Sequence, residues 1–245
     1  MNGETVIDYM AMYKRILLKL SGEQLSGEFD TGVDPKVAMF FAKEVKKAQE
    51  AGSEVVVVVG GGNLVRGAEV AGHGIKRATG DQMGMLSGLI NALALTDIFE
   101  HEGVRTRCLS NIFADQVAEM YSFRRAEKHL RKGRVIIVAG GIGRPYFTHD
   151  TAAVNLALEL SCQAVLKATK VDGVYDKDPN KFEDAKKLDE VSYQRALEDD
   201  AIKVMDKAAV GLAMDQGIPV VIFDSLAKDN LVKVIKGEKV GTTVK

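Results

Sequence analysis

The chain has no tryptophan, only four prolines and two cysteines, and no excess of either charge, with 33 Lys and Arg set against 34 Asp and Glu for a formal −1. Each shortage excludes something. A near-neutral balance removes the electrostatic reason to bind nucleic acid or an anionic membrane surface. Cys108 and Cys162 stand far apart in apolar stretches with no CxxC, so a disulfide framework and a dithiol redox motif are both excluded. They read as buried, reduced thiols in a cytosolic protein. His73, His101 and His129 have no ligand spacing, and no structural metal is expected. The first fifteen residues carry acids where a secretory leader needs bases, and no apolar run is expected to reach the length of a bilayer span. GxxxxGK[ST] is missing, which excludes a P-loop, and no strand leads into GxGxxG with a distal acid in frame, which argues against a dinucleotide-binding dehydrogenase.

What is present is an alternation. RILLKL (15–20), EVVVVV (54–59), RTRCL (105–109), RVIIVA (134–139), AVLKA (164–168) and PVVIF (219–223) are strand-like, several of them apolar on both faces as parallel strands covered on both sides must be. Between them lie helical patterns. Asp34 caps and Pro35 opens the first, with Val37, Phe40, Phe41, Val45 and Ala48 as its apolar stripe and Gly52 as its stop. Further helices are expected from Asp81 to Gly103, over 150–160 and over 206–217. No internal repeat, linker or low-complexity tract interrupts this order, so one α/β domain over residues 1–245 with a mostly parallel sheet is expected. A division near residue 165 into two ligand-binding parts is the other arrangement that the pattern permits.

Three strand-to-helix junctions are rich in glycine: LKLSGEQLSGE, GGGNLVRG and AGGIGRPYFTHD. In a parallel sheet such turns gather at the carboxyl ends of the strands, where ligands bind. Glycine lets the backbone N–H groups line a concavity for an anion, and a following helix N-terminus adds partial positive charge. A single turn of this kind is often only a tight turn. Three of them beside Lys19, Arg66 and Arg144 point to a chain of phosphates, for which a guanidinium offers a matched fork of donors.

The segments KRILLKLSGE (14–23), GGGNLVRG (60–67), GDQMGML (80–86), GRPYFTHDTAA (143–153), LKATKVDGVYDKDP (166–179) and KVMDKAA (203–209) together resemble the bacterial uridylate kinases, a branch of the amino acid kinase superfamily. The resemblance runs in order over nearly the whole chain. It implies a three-layer αβα sandwich, with acceptor binding up to about residue 165 and ATP binding after it. It also implies ATP with Mg²⁺ as donor, UMP as acceptor, UDP and ADP as products in pyrimidine nucleotide synthesis, a cytoplasmic homohexamer, and GTP and UTP as effectors. Residue by residue, it places Lys19 between the donor and acceptor phosphates, with Leu20, Ser21, Gly22, Gly62 and Arg66 against ATP. Lys167 is implied as a second lysine facing phosphate, and Thr169, Tyr175 and Asp178 as adenosine contacts, Tyr175 serving as a flat wall. Gly61 and Asp81 are implied against UMP, and Ile142, Gly143, Arg144, Pro145, Tyr146, Phe147, Thr148 and His149 form the segment that wraps it. Lys19, Arg66, Asp150 and Lys167 carry the catalysis in this reading, with Asp150 holding Lys19 in place.

The residues permit plainer readings too. Asp150 and Asp81 each stand where an acid could simply cap a helix, and DGVYDKDP reads equally as a hairpin. The chain also departs from the family pattern, which often has Thr where His149 stands and Asn where Arg144 stands, and the loop GEFDTG (27–32) differs from the family's effector-linked insert. Two other functions remain open at this point. One is a related kinase acting on a carboxylate or carbamate, and the other is a nucleotide-binding protein without turnover.

Overall fold

A computed structural model describes residues 11–71, 74–177, 179 and 181–245. His73 and Asp178 therefore lie outside the described residues, as does the reading of the first ten positions. In chain order the elements are β1 (Arg15–Leu20), α1 (Gly22–Leu25), α2 (Pro35–Glu50), β2 (Glu54–Val59), α3 (Gly67–Ala71) and α4 (Arg77–His101). There follow β3 (Thr106–Ser110), β4 (Glu119–Met120), α5 (Phe123–Leu130), β5 (Val135–Ala139), α6 (His149–Glu159) and β6 (Ala164–Thr169). The last part contains β7 (Val174–Tyr175), β8 (Lys187–Leu188), β9 (Glu190–Val191), α7 (Tyr193–Glu198), α8 (Lys207–Gln216), β10 (Val220–Asp224), α9 (Asn230–Ile235) and β11 (Thr242–Val244).

Nine strands form one sheet in the order β4-β3-β5-β2-β1-β6-β10-β11-β9. Every pairing is parallel except β10 with β11. The physical cause is visible in β2, whose five consecutive valines are all fully buried. Val55, Val57 and Val59 pack into one apolar cluster with α2 and α4, and Val56 and Val58 into a second with α6 and α8. A sheet with two dry faces must be covered twice, which makes three layers. Each buried valine contributes roughly 1.5–3 kcal/mol, so one carboxylate at Val57 would be enough to break the central strand.

The path of the chain places the ligand crevice. From β1 the sheet grows first toward β2, β5 and β3, and then on the opposite side toward β6 and β10. The order therefore reverses at β1, and a crevice opens outside the carboxyl ends of β1 and its neighbours.

Several expected boundaries move. α4 begins at Arg77 rather than Asp81, because Gly67 and Gly80 bring α3 and α4 into backbone contact; a β-carbon on Gly80 would lie 2.5 Å from the Gly67 carbonyl oxygen. α6 begins at His149 with Thr148 as its cap, so neither Asp81 nor Asp150 is a helix cap. The turn GGGNLVRG leads into the five-residue α3, not directly into a long helix. The expectation that no apolar run approaches a bilayer span is corrected by α4, which reaches that length and apolarity by composition. It packs on the sheet through Leu89, Ala92, Leu95 and Phe99. The hairpin reading of DGVYDKDP holds in part, since β7 pairs antiparallel with β8.

Candidate active site

β5, β2 and β1 are adjacent, so the three glycine-rich turns meet. The glycines are required first by this meeting. A β-carbon on Gly22 would come within 2.4 Å of Asn63 Oδ1 and 2.8 Å of the Gly60 carbonyl oxygen. One on Gly61 would lie 2.5 Å from the Ser87 side chain and 2.6 Å from backbone atoms of Gly84 and Gly88 on α4. From sequence this glycine is expected to admit a ligand, whereas close packing of turn against turn and turn against helix demands it here. Two buried asparagines lock the arrangement: Asn91 Nδ2 donates to the Gly60 carbonyl at 2.7 Å, and the amides of Asn63 and Asn91 bond each other. Neither asparagine was singled out from sequence. Their signal was faint, a polar residue inside the apolar pattern of α4 and another just after the glycines.

At the centre of the crevice Lys19 is next to last in β1, Lys167 lies near the end of β6, and the two are Cα neighbours across the parallel pair. The carboxylate of Asp150 lies between them, with Oδ1 2.9 Å from Lys19 Nζ and Oδ2 accepting from Lys167 Nζ at 2.8 Å. Burial works to raise the Asp150 pKa, but the two ammonium groups prevail and hold it below the usual carboxylate range. Burial lowers Lys167 against the pull of Asp150. Two cations on one anion leave a net positive charge at a sheltered point. His149, next along α6, is pushed down to about 4 by burial and then by the charge of Lys19, with Asp150 opposing. Its ring is therefore neutral near pH 7, and its Nε2 is buried without a hydrogen-bond partner in the protein.

Toward α4 lies a cavity of about 220 Å³ lined by Gly61, Gly62, Arg66, Asp81, Arg144 and His149 among others. Arg66 is half exposed and paired with Glu23 at 2.6 Å and Glu69 at 3.2 Å. Asp81 receives the Arg77 guanidinium at 2.8 Å and the backbone N–H of Tyr146 at 2.8 Å. Tyr146 holds a left-handed φ of 69°, rare outside glycine, and the bond to Asp81 fixes it there. Arg77 also stacks over the Tyr146 ring at 5.6 Å. Arg144, Tyr146, Phe147 and Thr148 are exposed, and Ile142, Gly143 and Pro145 are half-buried.

On the other side of Asp150 a second cavity of about 310 Å³ is lined by Asp150, Lys167, Asp199, Lys203, Val204 and Lys207 among others. His149 faces the first cavity and Asp150 the second, so the start of α6 divides them. Thr169 and Tyr175 line neither. Thr169 is bound to the Phe223 and Val171 carbonyls, and the Tyr175 hydroxyl donates to Asp172. Leu20 has a fully buried side chain and offers the crevice only its backbone, whose carbonyl accepts from Gly60. Ser21 is tied to the segment after β10 through Gln24, which accepts from the Ser21 backbone and donates to Ser225 at 2.9 Å. Asp178 was expected here and lies outside the described residues. Asp206, unassigned in the sequence reading, joins α6 to α8.

Such a site can bind two polyanions on either side of one charged centre and neutralise a group passing between them, which is what phosphoryl transfer requires. The comparisons agree with that chemistry. Residues 14–224 match the model of the amino acid kinase family. A uridylate kinase of Sulfurovum sp. is 49% identical over 228 residues, 93% of this chain and 97% of that one. One of Erythrobacter litoralis is 51% identical over 231 residues, 94% and 97% of the two chains. Among solved structures, UMP kinase from Bacillus anthracis superposes with a TM-score of 0.91 at 34% identity, covering 95% of this chain and 96% of that one. With half its residues shared along nearly its full length and the fold in common, the chain belongs to the amino acid kinase family, in its uridylate kinase branch.

Proposed function

We propose that this chain transfers the γ-phosphoryl group of ATP to the phosphate of UMP, giving ADP and UDP. The observation that carries the reading is the Lys19–Asp150–Lys167 cluster on the boundary between two cavities. UMP takes the cavity beside Asp81 and the 142–149 segment, and the ATP phosphates take the glycine turns at Ser21–Gly22 and Gly62. Arg66 leaves Glu23 to meet phosphate. Thr169 and Tyr175 reach ATP at its nucleoside end. The acceptor phosphate is already ionised near neutral pH, so no base is needed, and Asp150 serves to orient Lys19 and Lys167. The two lysines follow the negative charge as it shifts from the donor oxygen to the acceptor oxygen.

Mg²⁺ enters with ATP. Asp150 Oδ2 accepts from Lys167 and Oδ1 is ion-paired with Lys19 without a hydrogen-bond partner in the protein, and among the described residues no three His, Cys, Asp or Glu side chains cluster as a metal cage. The donor set therefore suits an ion carried by the phosphates and water, where it would neutralise phosphate charge.

The cytoplasmic setting, the homohexamer and the role in pyrimidine nucleotide synthesis belong to the same reading. The α2 stripe is consumed inside the chain, whereas α4 leaves Leu86 and Ile90, four residues apart on one helix face, more than half exposed. That apolar face supports subunit contact through α4. GTP and UTP as effectors belong to the same reading; the 27–32 loop, which departs from the family's effector-linked insert, is tied to the glycine turn, where Thr31 donates to the Asn63 carbonyl and Asn63 to that of Gly32, both at 2.6 Å. The test is an acceptor panel of UMP, CMP, dUMP, acetate and carbamate with ATP and Mg²⁺, read as ADP release. UMP should lead by a wide margin; turnover with a carboxylate or carbamate instead would refute the reading. Light scattering at micromolar concentration should give a hexamer, and a monomer would remove the assembly.

A further inference from the structure

We infer that Asp206 is a positioning residue of the transfer centre, fixing the first turn of α6, and Asp150 with it, to the segment that holds Lys167. The inference rests on the kinase reading. Asp206 Oδ1 accepts the Ala209 backbone N–H at 3.0 Å, which caps α8. The same carboxylate takes two hydroxyls from α6: Thr148 Oγ1 at 2.5 Å from Oδ2, and Thr151 Oγ1 at 3.0 and 3.2 Å from the two oxygens. Two residues earlier, the Val204 carbonyl accepts Lys167 Nζ at 2.6 Å. Lys167 closes the ring by donating to Asp150 at 2.8 Å. The neighbours of Asp206 (Lys203, Val204, Met205 and Lys207) also wall the 310 Å³ cavity, while Thr148 and His149 face the other one. One carboxylate thus sets the register between the two cavities.

The identity of the residue follows from hydroxyl stoichiometry. A threonine hydroxyl has one hydrogen and two lone pairs. Thr148 Oγ1 already accepts the Asp150 and Thr151 backbone N–H groups as the α6 cap, at 3.0 and 3.3 Å. Its hydrogen is all it has left, so its partner must accept. An α8 cap alone would work with Asn or Ser about as well as with Asp. Receiving Thr148 and Thr151 while capping α8 needs both carboxylate oxygens.

Asp206→Asn separates the two roles. Asparagine keeps an oxygen for Ala209 but turns an amide NH₂ toward a hydroxyl with no lone pair free. We expect kcat to fall about 10- to 100-fold, because small misplacements of reacting groups cost on that order. KM for UMP and for ATP should stay within about threefold, and Tm within a few degrees. Thr151→Val leaves both helix caps intact and should lower kcat by a smaller factor. Combined with Asp206→Asn, its effect should be less than multiplicative, as expected of groups sharing one network. If Asp206→Asn keeps kcat within threefold of wild type, or the two substitutions multiply independently, Asp206 is a helix cap only. If Asp206→Asn does not fold, Thr151→Val alone decides, and an unchanged kcat overturns the inference. A wild type that turns over ATP without UMP specificity would overturn the kinase reading itself, an outcome distinct from all of these.

Discussion

Asp81 Oδ2 accepts the backbone N–H of Tyr146 at 2.8 Å across a sequence separation of 65 residues, tying α4 to the 142–149 segment. The residue lies in the second turn of its helix, so its carboxylate serves tertiary structure and not a helix end.

Asp81→Asn should therefore act on the acceptor side alone. Asparagine can satisfy either Arg77 or Tyr146 as acceptor, but not both with charge. In the proposed reading the Asp81 carboxylate also meets the UMP ribose hydroxyls, and a hydrogen bond to a charged group contributes roughly 1.5–3 kcal/mol, so KM for UMP should rise about tenfold to a hundredfold or more. KM for ATP and Tm should hardly move. An unchanged UMP saturation curve would detach Asp81 from the acceptor site.

Lys19→Ala removes one of the two cations on Asp150. Turnover should drop by roughly two to four orders of magnitude, the range for losing a preorganised charge in the transition state. Nucleotide affinity, followed by calorimetry with each nucleotide alone, should change much less. Retention of most turnover would take Lys19 out of the mechanism.

Gly61 and Gly62 should behave differently although they are neighbours. Gly61→Ala drives a β-carbon to 2.5–2.6 Å from Ser87, Gly84 and Gly88, where helix backbone must shift. It should lower Tm by many degrees or prevent folding. Gly62→Ala meets only the Glu23 side chain at 3.3 Å, which can rotate away. That variant should fold with near-normal Tm and lose affinity for ATP. Equal thermal stability of the two would contradict the packing described here.

His149 predicts an acid limb in stability. Its folded pKa, about 4, lies below the usual 6.5, so between those values the unfolded chain binds the extra proton. Stability is then complete above about pH 6.5 and falls as the pH drops toward 4, by roughly 2–3 kcal/mol between pH 7 and 4.5. Asp150, held below its usual value, adds a further loss only as the pH falls below about 3.8. Urea unfolding of His149→Gln at the two pH values should show a decline smaller by about the His149 amount. An identical decline in both proteins would mean that the ring is not buried and neutral.

The local elements and the layer count are legible along the chain. Runs such as Val55–Val59, dry on both faces, require helices above and below, and Asp34-Pro35 announces where α2 begins. The sequence also marks most of the crevice, because Lys19 is a lone charge in an apolar strand and glycines punctuate three strand ends. Tertiary structure decided what each group is for. Whether Gly61 makes room for a ligand or for a helix depends on α4, which returns to it from more than twenty residues away. Asp81 and Asp150 looked like caps because a cap is a local pattern, whereas their partners Tyr146, Lys19 and Lys167 come from distant segments. Asn63, Asn91 and Asp206 were missed for the same reason. Their polar atoms are satisfied by other elements, and a contact of that kind has no periodicity to read along the chain.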